Sequence, residues 1–390
     1  MKIYTQINKY KFLFGILFLS MCFQNIEILN FGLFGLKLFH VIGFLFFPFL
    51  LKKYKKIKIP CKPMLFFLIY MLFISLINVT NYGINSLNFN YVFSFYILLL
   101  IYNCGEVLSK KDWLDIIKNV AIVTLISVYI NVIIHYEAIL KFFKNPYGHP
   151  LYNYIFGGGA NLEATWIGFF GLFFKDSKKG YIYIIFGTLL SVLLASRVGI
   201  LINAFCFVII TLASFDDKKW LVKKDRVLLM IILTILLIVF FVQTGLIDYL
   251  LTRIQSIGKD PGSKGRLNMW ENVATGIENN PFGVGLGNAT KSLNRFSKEY
   301  IWEDNVHNIY FQMFLDTGVI GGIVFLFFVI YFLYKNWKYI FYDSIIAFIF
   351  AYLLFGLLQF RGGETIIYYI IGIYFINKNR NKIIKKEEDK

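Results

Sequence analysis

The sequence predicts an all-α integral membrane protein of about twelve transmembrane helices with one large extracytoplasmic loop, and three observations carry that prediction. First, 58% of the 390 residues are hydrophobic and 19% aromatic. The mean hydropathy of +0.63 is more than a single soluble domain carries. Second, apolar runs approaching the ~20 residues that cross a bilayer recur along the whole chain. Third, the connections between those runs alternate between lysine-rich and lysine-poor, which is how helices are oriented in a membrane.

The apolar runs lie at 12–29, 31–51, 63–79, 87–103, 117–138 and 160–174, then at 181–195, 198–215, 227–246, 309–334, 344–360 and 364–377. The basic connections are the N-terminus, Lys52 to Lys62, Lys110 to Lys118, Lys175 to Lys179, Lys218 to Arg226, Lys335 to Lys338 and the tail from Lys378. Both termini are therefore expected in the cytoplasm. Lys2, Lys9 and Lys11 precede the first run as in a signal peptide, but no small-residue cleavage site follows, so the run reads as a retained helix. A net charge of +17 would point to nucleic acid in a soluble chain; here the lysines sit in short segments between apolar runs and act as orientation signals, with no nucleic-acid partner. Cys22 and Cys206 lie inside apolar runs and Cys61 and Cys104 in cytoplasmic connections, with neither disulfide nor zinc spacing. The expected organisation is an N-terminal bundle over 1–246, the large loop over 247–306, C-terminal helices over 307–377 and a basic tail over 378–390.

Polar residues concentrate on the outer side. The connection at 139–160 contains Asn145-Pro146-Tyr147-Gly148-His149-Pro150 and Gly157-Gly158-Gly159, which mark turns. Glu163 follows and reads as a hydrated helix end. Apolar sequence from Tyr181 to Phe215 contains one charge, Arg197, and at ~1.5 Å per residue it barely makes two crossings of a ~30 Å core. Arg197 must then sit in a tight turn at the outer face, either snorkelling to the interface or serving as an anion site. The loop over 247–306 balances seven Lys/Arg, Arg253 among them, against seven Asp/Glu. It is too long for a linker and is expected to fold over the bundle. Within it, Gly265-Arg266-Leu267-Asn268-Met269-Trp270 opens an amphipathic helix with Leu267, Trp270, Ala274 and Ile277 on one face, ended by Asn279-Asn280-Pro281. The glycine run Gly283-Val284-Gly285-Leu286-Gly287 that follows lacks the Lys-Ser/Thr of a phosphate-binding loop and the strand-helix setting of a dinucleotide fold.

One of the four histidines, His307, stands where this loop meets an apolar run, in Asp304-Asn305-Val306-His307-Asn308. Asn305 is a good N-cap, so a helix is expected from Val306 with His307 in its first turn, where the helix dipole disfavours imidazolium. A neutral imidazole there can accept a proton. His307-Asn308, nine residues, Gly318, two residues and Gly321 closely resemble the signature of the O-antigen ligase and polymerase (Wzy-like) superfamily. Ser196-Arg197 at a span end, Arg266-x-x-x-Trp270 and Asn280-Pro281 with Gly283, Gly285 and Gly287 occur in the order that superfamily shows. The resemblance covers about residues 190 to 330; the first 150 residues resemble nothing beyond a span pattern.

The resemblance implies a GT-C-like membrane glycosyltransferase in the bacterial inner membrane, its active site outside the cytoplasm. No nucleotide sugar exists there, so the donor is a glycan on a polyprenyl diphosphate. The diphosphate leaves as an anion, and arginine binds phosphate bidentately; Arg197, Arg266, Arg253 and Arg361 are the candidates, Arg361 reading equally as part of a salt-bridged turn. The acceptor hydroxyl must lose a proton, a task that suits His307, with Asn308 orienting the ring or the substrate. No Asp-x-Asp, paired histidines or carboxylate cluster marks a metal site, and no cofactor is implied. The expected reaction is polymerisation of lipid-linked repeat units of an O-antigen or capsular polysaccharide, alongside a chain-length regulator and a flippase. The alternatives are ligation of finished glycan onto lipid A-core and lipid-linked oligosaccharide transport; against transport, the chain shows no internal repeat and its polar residues gather in one outer loop.

Overall fold

A computed structural model describes residues 2–32, 35–53, 56–144, 151, 153–175, 179–212 and 261–388, with isolated positions between 228 and 258. In chain order the helices and strands are α1 (Lys2–Cys22), β1 (Glu27–Asn30), β2 (Gly35–Lys37), α2 (Leu38–Leu45), α3 (Phe47–Leu51), α4 (Lys62–Ile77), α5 (Val79–Tyr82), α6 (Ser86–Cys104), α7 (Lys110–Ile134), α8 (Tyr136–Lys144), α9 (Gly159–Phe170), α10 (Lys179–Leu193) and α11 (Arg197–Leu212). After the gap come α12 (Pro261–Glu271), α13 (Val273–Asn279), α14 (Ala289–Leu293), α15 (Ile309–Asn336), α16 (Ser344–Phe355) and α17 (Thr365–Glu388). Three helical stretches, Ser86–Val107, Lys110–Ile134 and Ile309–Tyr339, are each long and apolar enough to cross a membrane. Ile126, Ile133, Phe327 and Ile330 on α7 and α15 are more than half exposed, as befits helices facing lipid. The ninth apolar run, the Asn145–Pro150 turn and Arg253 lie outside the described residues.

The second run differs from expectation. In place of one helix over 31–51, β1 and β2 form an antiparallel hairpin, Asn30 pairing with Gly35, and two short helices follow. Gly32, at φ +78°, supplies the left-handed residue of the connecting turn, and Pro48 starts α3 at a helical N-terminus. Among the described residues the all-α class holds apart from this hairpin.

The chain divides into two compact units. The first comprises 1–116, 261–337 and 352–390. There α6 lies along α17 at close range: a Cβ at Gly372 would stand 2.9 Å from the Ile101 side chain, so the backbones touch where only glycine fits. α1 joins this pair through Phe18 stacked on Tyr369, with centroids 4.6 Å apart, and through the Tyr369 hydroxyl donating to Phe14 O at 3.0 Å. α4 meets α15, where the Tyr70 hydroxyl donates to Thr317 O at 3.0 Å. The large loop adds its own core of Met269, Val273, Ala289, Leu293, Ile301, Val306 and Leu315, with Trp270 against Phe311 at its edge.

The second unit comprises 117–260 and 338–351. Its centre is α9, α10 and α11. Asn203 in α11 donates to Ser191 Oγ at 3.1 Å and to Gly199 O at 2.8 Å, and Gly187 and Gly168 leave it room. Phe348 closes the unit against Trp166, Phe169 and Phe173. Glu163 is not a hydrated helix end: it is fully buried in α9 and accepts from Phe156 N at 3.0 Å.

Candidate active site

The polar stretch before α15 is built by two asparagines acting in turn. Asn305 Oδ1 accepts from His307 N at 2.9 Å, an Asx turn that bends the chain. His307 then takes a left-handed conformation, φ +55°. Asn308 is the N-cap of α15, its Oδ1 accepting from Tyr310 N at 3.0 Å and Phe311 N at 3.1 Å. The expected helix start at Val306 is therefore wrong. With Asn305 consumed in the Asx turn and His307 at positive φ, the helical path opens only after Asn308. His307 precedes the helix, and Asn308, buried, spends its side-chain oxygen on the cap.

The expected neutral imidazole has a different origin. Burial, the charge of Arg266 and that of Arg361, opposed by Asp304, push the His307 pKa down to about 3. Arg266 in α12 and Arg361, between α16 and α17, thus both act on the ring from within the same unit. Arg266 Nη1 reaches Leu358 O at 3.5 Å. Arg361 Nη1 pairs with Asp304 Oδ2 at 2.9 Å. The Asp304 side chain is largely exposed, and the Arg361 charge with the Asn305 amide holds its pKa below the ordinary value.

Arg361 is also held as a turn. Glu364 accepts from Arg361 N at 2.8 Å, from Gly362 N at 3.0 Å and from the Tyr352 hydroxyl at 2.6 Å. The Tyr91 hydroxyl donates to Arg361 O at 3.2 Å. Phe360 and Gly362 have φ of +72° and +96°, so the turn aims the guanidinium at the His307 segment. Lys37, at the end of β2, lies within electrostatic reach of Arg361.

Behind His307 stands a feature with no counterpart in the sequence reading. Val306 N donates to Gln312 Oε1 at 3.1 Å, and Gln312 Nε2 donates to Asp316 Oδ2 at 2.8 Å. The fully buried Asp316 also accepts from Gly287 N at 2.8 Å and Ala289 N at 3.1 Å. The helix breaks at Gly318, φ +73° and ψ −176°, and the glycine run lies against the break. Val284 N donates to Leu315 O at 3.0 Å, Gly285 N to Asp316 O at 2.9 Å, and Val319 N to Pro281 O at 2.9 Å. A Cβ on Gly318 would fall 2.4 Å from Pro281 O. The glycines at 283, 285 and 287, all at positive φ, let the two backbones meet. They form a packing ladder that fixes the segment carrying His307.

Polar residues of α4, α5 and α6 hold the outer side of that ladder. Ser75 Oγ accepts from Leu286 N at 2.9 Å, Asn78 donates to Gly283 O at 3.2 Å, and Asn85 donates to Gly287 O at 3.0 Å. Lys291 closes the ring on Tyr82 O at 3.0 Å. Sequence reasoning passed over these asparagines, although a polar side chain within an apolar run is itself a signal.

Residues 164–326 match the family model Wzy_C, described as O-antigen ligase. Over these residues the chain is similar to that family. No curated protein matches the chain. The matched segment begins in α9 and ends in α15; it takes in Arg197, Arg266, His307, Asn308, Asp316 and Gly318, and leaves out Arg361 and Lys37. Arg197 belongs to the second unit, half-buried at the first residue of α11 after a tight turn through Ala195, at φ +54°, and Ser196, whose hydroxyl donates to Asn161 Oδ1 at 2.9 Å. Of the six residues singled out by sequence, four are in the first unit: His307, Arg266 and Arg361 as a charged site, and Asn308 as its helix cap.

Proposed function

We propose that the protein polymerises lipid-linked oligosaccharide repeat units of an O-antigen or capsular polysaccharide at the outer face of the bacterial inner membrane. The observation that carries this is Arg361 paired with Asp304, three residues before His307, with Arg266 in the same unit, inside a segment similar to the O-antigen ligase family. In the step proposed, His307 takes the proton of the acceptor hydroxyl as its oxygen attacks the anomeric carbon of the donor sugar. The bond from that carbon to the polyprenyl diphosphate breaks, and the diphosphate departs as an anion against Arg266 and Arg361. No metal is required, because the two guanidiniums supply the charge the leaving group needs.

The geometry supplies a reason for the low basicity of the free ring. Burial first, and then the charges of Arg266 and Arg361, disfavour a proton on His307; an anionic diphosphate held by the arginines offsets their share. Donor binding therefore raises the basicity of His307 when the proton must be taken. A second anionic lipid, which a polymerase must admit and a ligase need not, would fall to Arg197, a cation apart from Arg266 in the sequence.

The family's description favours a second reading, transfer of finished glycan to lipid A-core or another acceptor. Deletion of the gene separates the two. A polymerase defect leaves at most a single repeat unit on the surface carrier; full-length glycan stranded on the lipid carrier, with no loss of length, establishes the ligase in its place.

A further inference from the structure

We infer that Tyr300 and Trp302 form a stacking platform for uncharged or amino sugars of the acceptor glycan, an inference that rests on the glycosyl-transfer reading above. Tyr300 is 65% exposed and Trp302 86%, and their rings meet edge to face with centroids 4.6 Å apart. Two large aromatics held together in the open mark a binding surface more often than chance exposure.

The backbone beneath them is fixed. Ile301, between the two, is buried in the loop core; it donates to Asn294 Oδ1 at 2.7 Å and its carbonyl accepts from Asn294 Nδ2 at 3.1 Å. Ser297 Oγ donates to Glu299 O at 2.6 Å on one side. On the other, Trp270 Nε1 donates to Val306 O at 2.9 Å. Alternation along an extended segment puts 300 and 302 on one face and 301 on the other, so inward anchoring of Ile301 presents both rings outward. Rigid aromatics offer contact area at little entropic cost.

Position and charge select the occupant. Trp302 is two residues from Asp304, which is ion-paired to Arg361, and five from His307, at most about 18 Å of extended chain. A glycan lying on the platform therefore reaches the site. Beside the rings Glu299 pairs with Lys264 at 3.0 Å and Asp304 with Arg361 at 2.9 Å, so that Lys298 and Glu303 remain of the charges in 298–304. Aromatic anchors for a lipid surface draw on a surplus of neighbouring lysine or arginine to meet anionic headgroups; residues 298–304 offer no such surplus, and Glu303 offers an acceptor to sugar hydroxyls or to an amino group.

The test uses the full chain in nanodiscs with His307→Ala, so that nothing is turned over. The probe is the repeat-unit oligosaccharide released by mild acid from the lipid carrier of the producing cells. Saturation-transfer NMR should show it binding, Trp302→Ala should weaken that binding about tenfold or more, and Trp302→Phe should keep most of it. Failure of the oligosaccharide to bind, or equal affinity in Trp302→Ala, overturns the platform. A spin label at Trp302→Cys relaxed by oxygen in the bilayer and shielded from an aqueous nickel chelate overturns it too, by placing the rings in lipid. Binding that persists in a protein that fails to polymerise counts against the reaction alone.

Discussion

Asp316→Ala tests whether the buried carboxylate behind His307 holds the segment in place. Asp316 takes hydrogen bonds from Gly287 N, Ala289 N and Gln312 Nε2 at 2.8–3.1 Å. Alanine leaves the two backbone donors buried and unpaired, at ~1–3 kcal/mol each, so about 2–6 kcal/mol is lost. At about 2 °C per kcal/mol, the low end for large domains, Tm of the purified protein should fall by roughly 4 °C or more. Asp316→Asn keeps one acceptor oxygen and should lie between parent and alanine. Gln312, released from Asp316, no longer fixes its amide against Val306 N, so turnover should fall in the same order even at temperatures where the variants stay folded. Parental Tm and parental turnover in Asp316→Ala would refute the reasoning.

Gly318→Ala should destabilise more than Gly83→Ala. Both glycines have the same backbone, φ +73° and ψ −176° against φ +76° and ψ 178°, but a Cβ at Gly318 meets backbone 2.4 Å away and one at Gly83 meets nothing within 4 Å; equal melting temperatures would remove the close approach from the explanation. Arg266→Lys and Arg361→Lys should restore little of the turnover lost in the alanine variants, since an ammonium lacks the planar fork, whereas full activity in both would reduce the arginines to general charge. The acid limb of kcat/KM, which reports the free protein, should lie well below the ordinary histidine value, because a pKa lowered to about 3 keeps His307 neutral as pH falls. The acid limb of kcat should lie higher, once bound diphosphate offsets the arginines. A kcat/KM limb at an ordinary histidine value would contradict the placement of His307 beside two cations.

Much of the site is legible in the residues themselves. His307, Arg266 and Arg361 are chemistry-bearing types in a chain whose charges otherwise serve topology, and each is marked by a motif or an unusual position. The local geometry is harder to read. Asn305 and Asn308 are equally good N-caps, and only the Asx turn at the first decides that the helix opens at the second. The face predicted for the loop helix holds at Trp270 and Ile277, which pack against the loop core, and fails at Leu267 and Ala274. α12 and α13 break at Asn272, so Met269 and Val273 turn inward while Leu267 is 46% exposed. The hairpin of β1 and β2 hides in an apolar stretch where only Gly32 and Gly35 signal a turn. The clamp of Ser75, Asn78 and Asn85 depends on contacts more than 200 residues apart, and Asp316 on backbone donors of the glycine run 27 to 29 residues away, which periodicity along one segment cannot show. For Ser75, Asn78 and Asp316, polar character inside an apolar run is the available sign.

Purified protein supplied only with lipid-linked repeat units decides the assignment of base and reaction together. The parent should build a ladder of longer lipid-linked glycans, and His307→Ala, equally abundant and folded, should build it 10²–10⁴-fold more slowly. A ladder from His307→Ala at near the parental rate, or none from the parent, would contradict a polymerase that uses His307 as its base.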